Sequence, residues 1–132
     1  MAGYCVDIEK KTKENNYFRE VLFTGAIIQL VVMSLNPHED TGLETYLDTD
    51  QFICVEAGDG QAILDGLKYE LKPKSAMIIP AGTEYNLINT SSTQALKFYT
   101  VYIPPDYADG TIHKIKSESP EFDGRANDPS YT

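Results

Sequence analysis

The sequence predicts an all-β fold, and three observations carry that expectation. Runs of strand-forming residues are short and closely spaced, turn residues separate them, and no stretch keeps a helical repeat over several turns. A chain of 132 residues is long enough for one buried core and too short for two ordinary domains. Its 42% hydrophobic and 23% charged residues match a globular rather than a disordered chain, so one folded domain is expected.

The first strands are Val21 to Phe23 and Ala26 to Leu35, rich in Val, Ile and Leu, with Thr24-Gly25 as a bend or bulge between them. Ahead of them, Lys10, Lys11 and Lys13 sit beside Glu9 and Glu14, a mixed-sign cluster that reads as the solvated face of a strand or loop. Gln51 to Glu56 forms the next strand and ends at Ala57-Gly58-Asp59-Gly60. Gln61 to Leu64 and Leu67 to Lys72 flank Asp65-Gly66, a strong hairpin signal because a type I′ turn needs positive φ at both centres. In the second of these strands Tyr69 and Leu71 alternate with Lys68, Glu70 and Lys72, as one buried and one wet face require. Pro73-Lys74-Ser75 then precedes the apolar run Ala76 to Ile79, which stops at Pro80-Ala81-Gly82. Glu84 to Asn89 and Ala95 to Ile103 complete the set, separated by Thr90-Ser91-Ser92-Thr93 and closed by Pro104-Pro105.

Roughly eight or more strands at this spacing suit a sandwich or barrel, which protects its sheet edges. The expected organisation is a single barrel domain over residues 1–116 with an N-terminal strand arm, followed by a polar, flexible tail over 117–132. In that tail Pro120, Gly124, Pro129 and several acidic residues offer little apolar area to offset ordering entropy.

A formal net charge of -9, from 20 acidic against 11 basic residues, argues against nucleic acid as a partner, because phosphate-backbone binding needs clustered Lys and Arg. No apolar run approaches the ~20 residues of a membrane span, and Met1 to Lys13 lacks a secretory pattern. Cys5 and Cys54 are far apart and outside any zinc spacing, so free thiols and a cytoplasmic, reducing setting are expected. No P-loop, dinucleotide fingerprint or serine-histidine nucleophile context is present.

Two groups of residues carry a family resemblance. Glu44-Thr45-Tyr46, Gln51 and Gly58 follow the spacing of a motif that has a glycine, two histidines as H-x-H, an acidic residue or glutamine, and a second glycine seven positions on. Lys74, Pro80, Gly82, Tyr85 and Asn89 follow a second motif, G-x5-P-x-G-x2-H-x3-N. With Phe18-Arg19-Glu20-Val21-Leu22, Gln29-Leu30-Val31, Asp48-Thr49-Asp50-Gln51-Phe52 and Asp109-Gly110-Thr111-Ile112-His113-Lys114, the chain resembles the small type-2 cupins, including those described as phosphomannose-isomerase-like, over about residues 15–116. The resemblance implies a cupin jelly-roll β-barrel, or double-stranded β-helix. It also implies a homodimer, with the 17–35 region pairing or packing across a two-fold axis, and an interior pocket that often holds a divalent metal.

In such a pocket imidazoles at the positions of Tyr46 and Tyr85 would grip the metal, helped by Glu44 and Gln51. Both imidazoles are replaced by phenols, which must lose a proton of ordinary pKa about 10 before they coordinate. The expectation is therefore no metal and no cofactor, with a weak or displaced divalent site as the alternative. Strand alternation puts Glu44 and Tyr46 on one face, and Gln51, Ile53 and Val55 on one face of the next strand, with Phe52 and Cys54 pointing away. Glu44, Tyr46, Gln51 and Tyr85 are accordingly the expected pocket residues. Glu44 is the candidate catalytic residue, since burial beside phenols raises a carboxyl toward a general-base range. His38 is expected on an exposed rim, and His113 away from any core ligand position.

Three functions stay open. The preferred one is a small-molecule-binding protein with a degenerate metal site and a ligand that is sugar-related by fold analogy. The second is a divergent isomerase or dioxygenase using Glu44, Tyr46, Gln51 and Tyr85. The third is a purely structural dimeric module.

Overall fold

The computed structural model describes residues 2–119. Among the described residues ten strands form two antiparallel sheets: β1 (Arg19–Thr24), β2 (Gln29–Leu35), β3 (Glu44–Thr45), β4 (Asp50–Ala57), β5 (Gly60–Leu64), β6 (Leu67–Leu71), β7 (Ala76–Ile79), β8 (Glu84–Asn89), β9 (Leu96–Ile103) and β10 (Ile112–His113). The larger sheet has the order β10-β1-β2-β9-β4-β7 and the smaller β3-β8-β5-β6. Their facing surfaces make the jelly-roll barrel of the predicted all-β class.

Two-residue alternation builds the core. Along β9, Leu96, Phe98, Thr100 and Tyr102 point inward and are buried, and along β4 Gln51, Ile53 and Val55 do the same. Val31, Met33 and Leu35 from β2 meet Leu87 and Ala62 from the opposite sheet. Each large apolar side chain buried in this layer stabilises the fold by about 1.5–3 kcal/mol. Phe52 and Cys54 point away from the core, as the alternation requires.

Turn chemistry falls where the sequence puts it. Asp65 (φ 47°) and Gly66 (φ 82°) both take positive φ, the condition for the type I′ turn between β5 and β6. Gly58 (φ 86°) is fixed by space as well, because a Cβ there would collide with the carbonyl of Ala95. Between β1 and β2 the turn closes at Gly25, whose N–H donates to Ile28 O at 2.7 Å, so β2 starts at Gln29 rather than Ala26. The register shift lies within β1, between Val21 and Phe23.

Two expectations need correction. The N-terminal arm is not a strand: residues Ile8–Glu14 form a helix, α1. Asp7 caps it by accepting from the Lys10 N–H at 3.1 Å, Glu9 and Lys13 pair one turn apart at 3.7 Å, and Thr12 is fully buried. Two turns are too few for a helical repeat to stand out in sequence. In β6 the expected buried pair is half right, since Leu71 is 4% exposed but Tyr69 is 47% exposed. The cause is position: β6 is the edge of the smaller sheet, and Tyr69 lines an open groove beside β7, the edge of the larger, rather than packed core.

The chain closes along one side of the barrel. β10 pairs with β1, a 3-10 turn covers Lys116–Glu118, and Ser119 is fully buried. Lys116 Nζ lies 2.7 Å from Asp40 Oδ1. Partial burial works against the Asp40 carboxylate, but hydrogen bonds from Lys116 and Asn86, the Lys116 charge and the Gly42 N–H together hold its pKa below the ordinary value. The rest of the expected tail, 120–132, lies outside the described residues.

Asn89 closes the opposite end. Fully buried, its Nδ2 donates to Leu35 O, Asn36 O and Gln94 O at 3.0, 3.1 and 2.8 Å, and its Oδ1 accepts from Ser91 N–H at 2.9 Å. One side chain thus ties the end of β2 to the turn after β8. Asn89→Ala leaves those buried backbone groups without partners and is expected to cost about 3 kcal/mol in urea unfolding. A loss below about 0.5 kcal/mol, the range of ordinary surface substitutions, would show that the clamp is dispensable.

Candidate functional site

At one end of the barrel the core turns polar. Arg19, Glu44, Gln51, Tyr85, Thr100 and Tyr102, over a floor that includes Met33, Ile53, Leu87 and Phe98, line an interior cavity of about 10 Å³. That is room for one water molecule. Strand register brings the polar groups together. Glu44 on β3 is directly opposite Tyr85 on β8, Gln51 on β4 is opposite Tyr102 on β9, and Thr100 is opposite Ile53.

Tyr85 joins the two sheets at this point. Its hydroxyl donates to Glu44 Oε2 at 3.2 Å and is also hydrogen-bonded to Gln51. Burial pushes the Tyr85 hydroxyl pKa well above 10; the Glu44 charge and Tyr102 add to the rise, and the Gln51 bond and the Arg19 charge offset part of it. Burial also raises Tyr46, with further contributions from Tyr107, Tyr102, Tyr85 and Glu44. Both phenols are therefore neutral donors at physiological pH.

The tyrosines form a continuous cluster. The Tyr46 ring lies 6.1 Å from that of Tyr85 and 5.7 Å, edge-on, from that of Tyr102, which in turn lies 5.6 Å from Tyr107. The Tyr46 and Tyr107 hydroxyls are 2.6 Å apart. Tyr107 belongs to the irregular segment between β9 and β10, and buried Gln29 holds it there. Gln29 Nε2 donates to Tyr107 O at 2.6 Å, while Gln29 Oε1 accepts from the N–H groups of Asp106 and Tyr107 at 3.2 and 3.1 Å.

Among the described residues Arg19 is the one guanidinium in this cluster, and it is 1% exposed. Its Nη1 donates to Ser119 Oγ at 2.7 Å and to His113 Nδ1 at 3.1 Å, and its Cζ stacks 4.3 Å over the Tyr107 ring. Because arginine only donates, His113 Nδ1 is the acceptor and the ring proton sits on Nε2. Thr100 Oγ1 is buried on the cavity wall with no hydrogen-bond partner among the described residues.

Three of the four expected pocket residues, Glu44, Gln51 and Tyr85, meet on the cavity wall. Tyr46 stands behind them, packed against Tyr85 and Tyr102 and bonded to Tyr107. His38 is exposed with φ 62°, while His113 is half-buried against Arg19. Among the described residues no three His, Cys, Asp or Glu side chains are grouped to hold a metal ion. The sequence reading missed Arg19, Thr100, Tyr102 and Tyr107. Alternation along β9 was enough to place Thr100 and Tyr102, whereas Tyr107 lies in a segment with no period to read.

Comparison with known proteins agrees with this architecture. The family model for the cupin domain matches residues 31–102. YrkC of Bacillus subtilis, named only as uncharacterized, is 40% identical over 122 residues, covering 88% of this chain and 65% of its own. This chain thus spans just under two thirds of that relative. The uncharacterized protein L612 of Acanthamoeba polyphaga mimivirus is 39% identical over 119 residues, covering 88% of this chain and 74% of its own. The crystal structure of BH2720 from Bacillus halodurans superposes with a TM-score of 0.85 at 38% identity, over 88% of this chain and 92% of that one. With the jelly-roll sheets, the two motif spacings and these matches in hand, the chain belongs to the cupin family.

Proposed function

We propose that this cupin is a metal-independent binding protein for a small polar organic molecule bearing an anionic group, such as a sugar acid. One observation carries the reading: a desolvated set of hydrogen-bonding groups surrounds interior space, and one of them, the Thr100 hydroxyl, is buried without a partner among the described residues. A buried hydroxyl left unmatched costs about 1–3 kcal/mol, so the arrangement favours an incoming atom that satisfies it. Arg19 supplies the anion-binding charge, Glu44 and Gln51 accept and donate to hydroxyls, and the tyrosine rings give flat apolar walls. A ligand larger than water displaces the Tyr107 ring, the side chain that covers Arg19 from the irregular segment.

The donor set fits a divalent metal poorly. Glu44 and Gln51 are joined by phenols that keep their protons, and a guanidinium lines the same cavity and repels a cation. Metal analysis of protein purified without chelator is expected to find no stoichiometric transition metal. One that survives dialysis would overturn this part of the reading.

Binding is tested by thermal shift with a panel of small sugar acids and hydroxy acids against their uncharged analogues. A true ligand at a hundredfold excess over its Kd adds about 2.7 kcal/mol to stability, a shift of several degrees in a domain of this size. Thr100→Val removes the unmatched hydroxyl at nearly constant volume, and is expected to raise the unliganded Tm by a few degrees while losing most of the shift. Shifts that are equal for charged and uncharged members, or intact in Thr100→Val, exclude the proposed mode.

The neutral phenols make a second prediction. Tyr46 and Tyr85, and Tyr99 on the outer face with a pKa near 12, hold their protons more tightly folded than unfolded. Above the unfolded value of about 10 the unfolded chain sheds protons that the native chain keeps, so stability is undiminished below pH 10 and falls as pH rises beyond it. Urea midpoints measured between pH 8 and 11.5 check the sign. Tyrosinate absorbance that develops fully near pH 10 in the still-folded protein refutes it.

A further inference from the structure

β7 forms one edge of the larger sheet, and among the described residues it pairs only with β4. Its sequence, Ala76-Met77-Ile78-Ile79, has neither a charge nor a proline. Sheet edges are ordinarily guarded by charged side chains, bulges or a covering segment, because their free N–H and C=O groups recruit another strand. β6, the edge of the smaller sheet across the groove, has such a guard in Lys68 and Glu70.

The ladder fixes which backbone groups of β7 are free. The Val55 N–H donates to Ser75 O at 2.9 Å and Val55 O accepts from the Lys74 N–H at 2.7 Å, so Val55 directs both of its groups to the β7 side. Antiparallel pairing alternates that direction residue by residue, so Ile53 and Gln51 do the same toward Met77 and Ile79. Ala76 and Ile78 consequently aim their N–H and C=O groups at the open edge. Side chains sort with the same period: Ile78 stands on the outer face, 65% exposed, and Met77 on the inner face, packed against the core. There Met77 lines a groove of about 410 Å³ with Leu64, Tyr69 and Leu71. An added strand thus meets backbone partners at two residues, an apolar groove on one face and an exposed isoleucine on the other.

Charge gives the added strand a direction. The turn before β7 carries Lys72 and Lys74, both exposed, and at the other end the Asp50 carboxylate accepts from the Ala81 N–H at 2.8 Å. Glu70, on the wall of the groove, accepts from Gln61 Nε2 at 3.2 Å. A strand added antiparallel, as β4 and β7 pair, enters at Asp50 and leaves at the lysines. It is matched by a basic residue ahead of its apolar run and an acidic one after it. A second copy of this chain brings the same net charge of -9 and is repelled at long range, whereas a segment led by a basic residue is attracted.

We infer that β7 is a docking edge for an extended peptide segment of another protein, which adds antiparallel to the larger sheet with an apolar run set between a leading basic and a trailing acidic side chain. The groove beside this edge shares no residue with the interior cavity, so the inference stands apart from the ligand proposed for that cavity.

The probe is a labelled synthetic peptide, Lys-Thr-Val-Val-Leu-Val-Thr-Glu, capped at both ends and titrated by fluorescence anisotropy with the full chain up to several hundred micromolar. Saturable binding is expected, weakened about tenfold when the lysine and glutamate exchange places. Ile78→Pro removes an outward N–H and spares those that face β4, so it is expected to abolish binding with a circular dichroism melt close to that of wild type. Ile78→Lys keeps the backbone, guards the edge with a charge at an exposed site, and is expected to weaken binding about tenfold or more. Lys74→Asp, whose short polar side chain tolerates the positive φ of that turn, is expected to remove most of the preference between the two peptides. Equal affinity for both peptides, affinity unmoved by both Ile78 substitutions, or no binding at the highest concentration overturns the inference. So does sedimentation velocity in which the chain alone self-associates and Ile78→Lys restores the monomer, because the occupant of the edge is then a second copy.

Discussion

The double pairing of β9 is the constraint on which the rest of the molecule depends. β9 is hydrogen-bonded to β2 along one side and to β4 along the other, from Leu96 to Tyr102 in the first case. A slip of one residue on either side would turn Thr100 and Tyr102 outward and present Tyr99 and Val101 to the core. Because Gln51 and Gln29 are both registered against Tyr102, the same pairing sets the interior hydrogen bonds and the anchor of the Tyr107 segment.

On the function proposed above, phenols rather than imidazoles at positions 46 and 85 change what this interior offers a ligand. An imidazole offers a lone pair at neutral pH, whereas Tyr46 and Tyr85, desolvated and beside Glu44, offer protons. The Tyr85 ring also fills volume on the wall of a cavity the size of a single water. The result is a set of donors and acceptors held rigidly by aromatic packing. On the proposed reading such a set would recognise shape and charge without activating water in the way a bound cation would.

Much of the fold was legible because its signals are local. Asp65-Gly66 specified its hairpin, and alternation through Gln51, Ile53 and Val55 placed β4 correctly. Lys74 is instructive: it stands where the family motif has glycine and still takes φ 73°, so spacing carried information that residue identity concealed. What escaped was set by long-range context. The exposure of Tyr69 depends on the groove between the edges of the two sheets, and α1 depends on a cap and a buried threonine rather than on periodicity. Motif spacing placed Glu44, Gln51 and Tyr85 inside the barrel, where the structure brings them to one cavity wall. Arg19 was hidden because a lone arginine ordinarily reads as surface, and its burial rests on partners 94 and 100 residues away in His113 and Ser119.

The guanidinium of Arg19 belongs to two structures at once, the wall of the interior and the seam where the chain folds back over the barrel. Whatever competes for its N–H groups from within competes with Ser119 and His113 from without. By the binding mode proposed above, contents of the barrel and seating of that seam would be linked reciprocally, each biasing the other by the same free energy. A tremor in the closing strand would thus report, at the surface, what the closed interior holds.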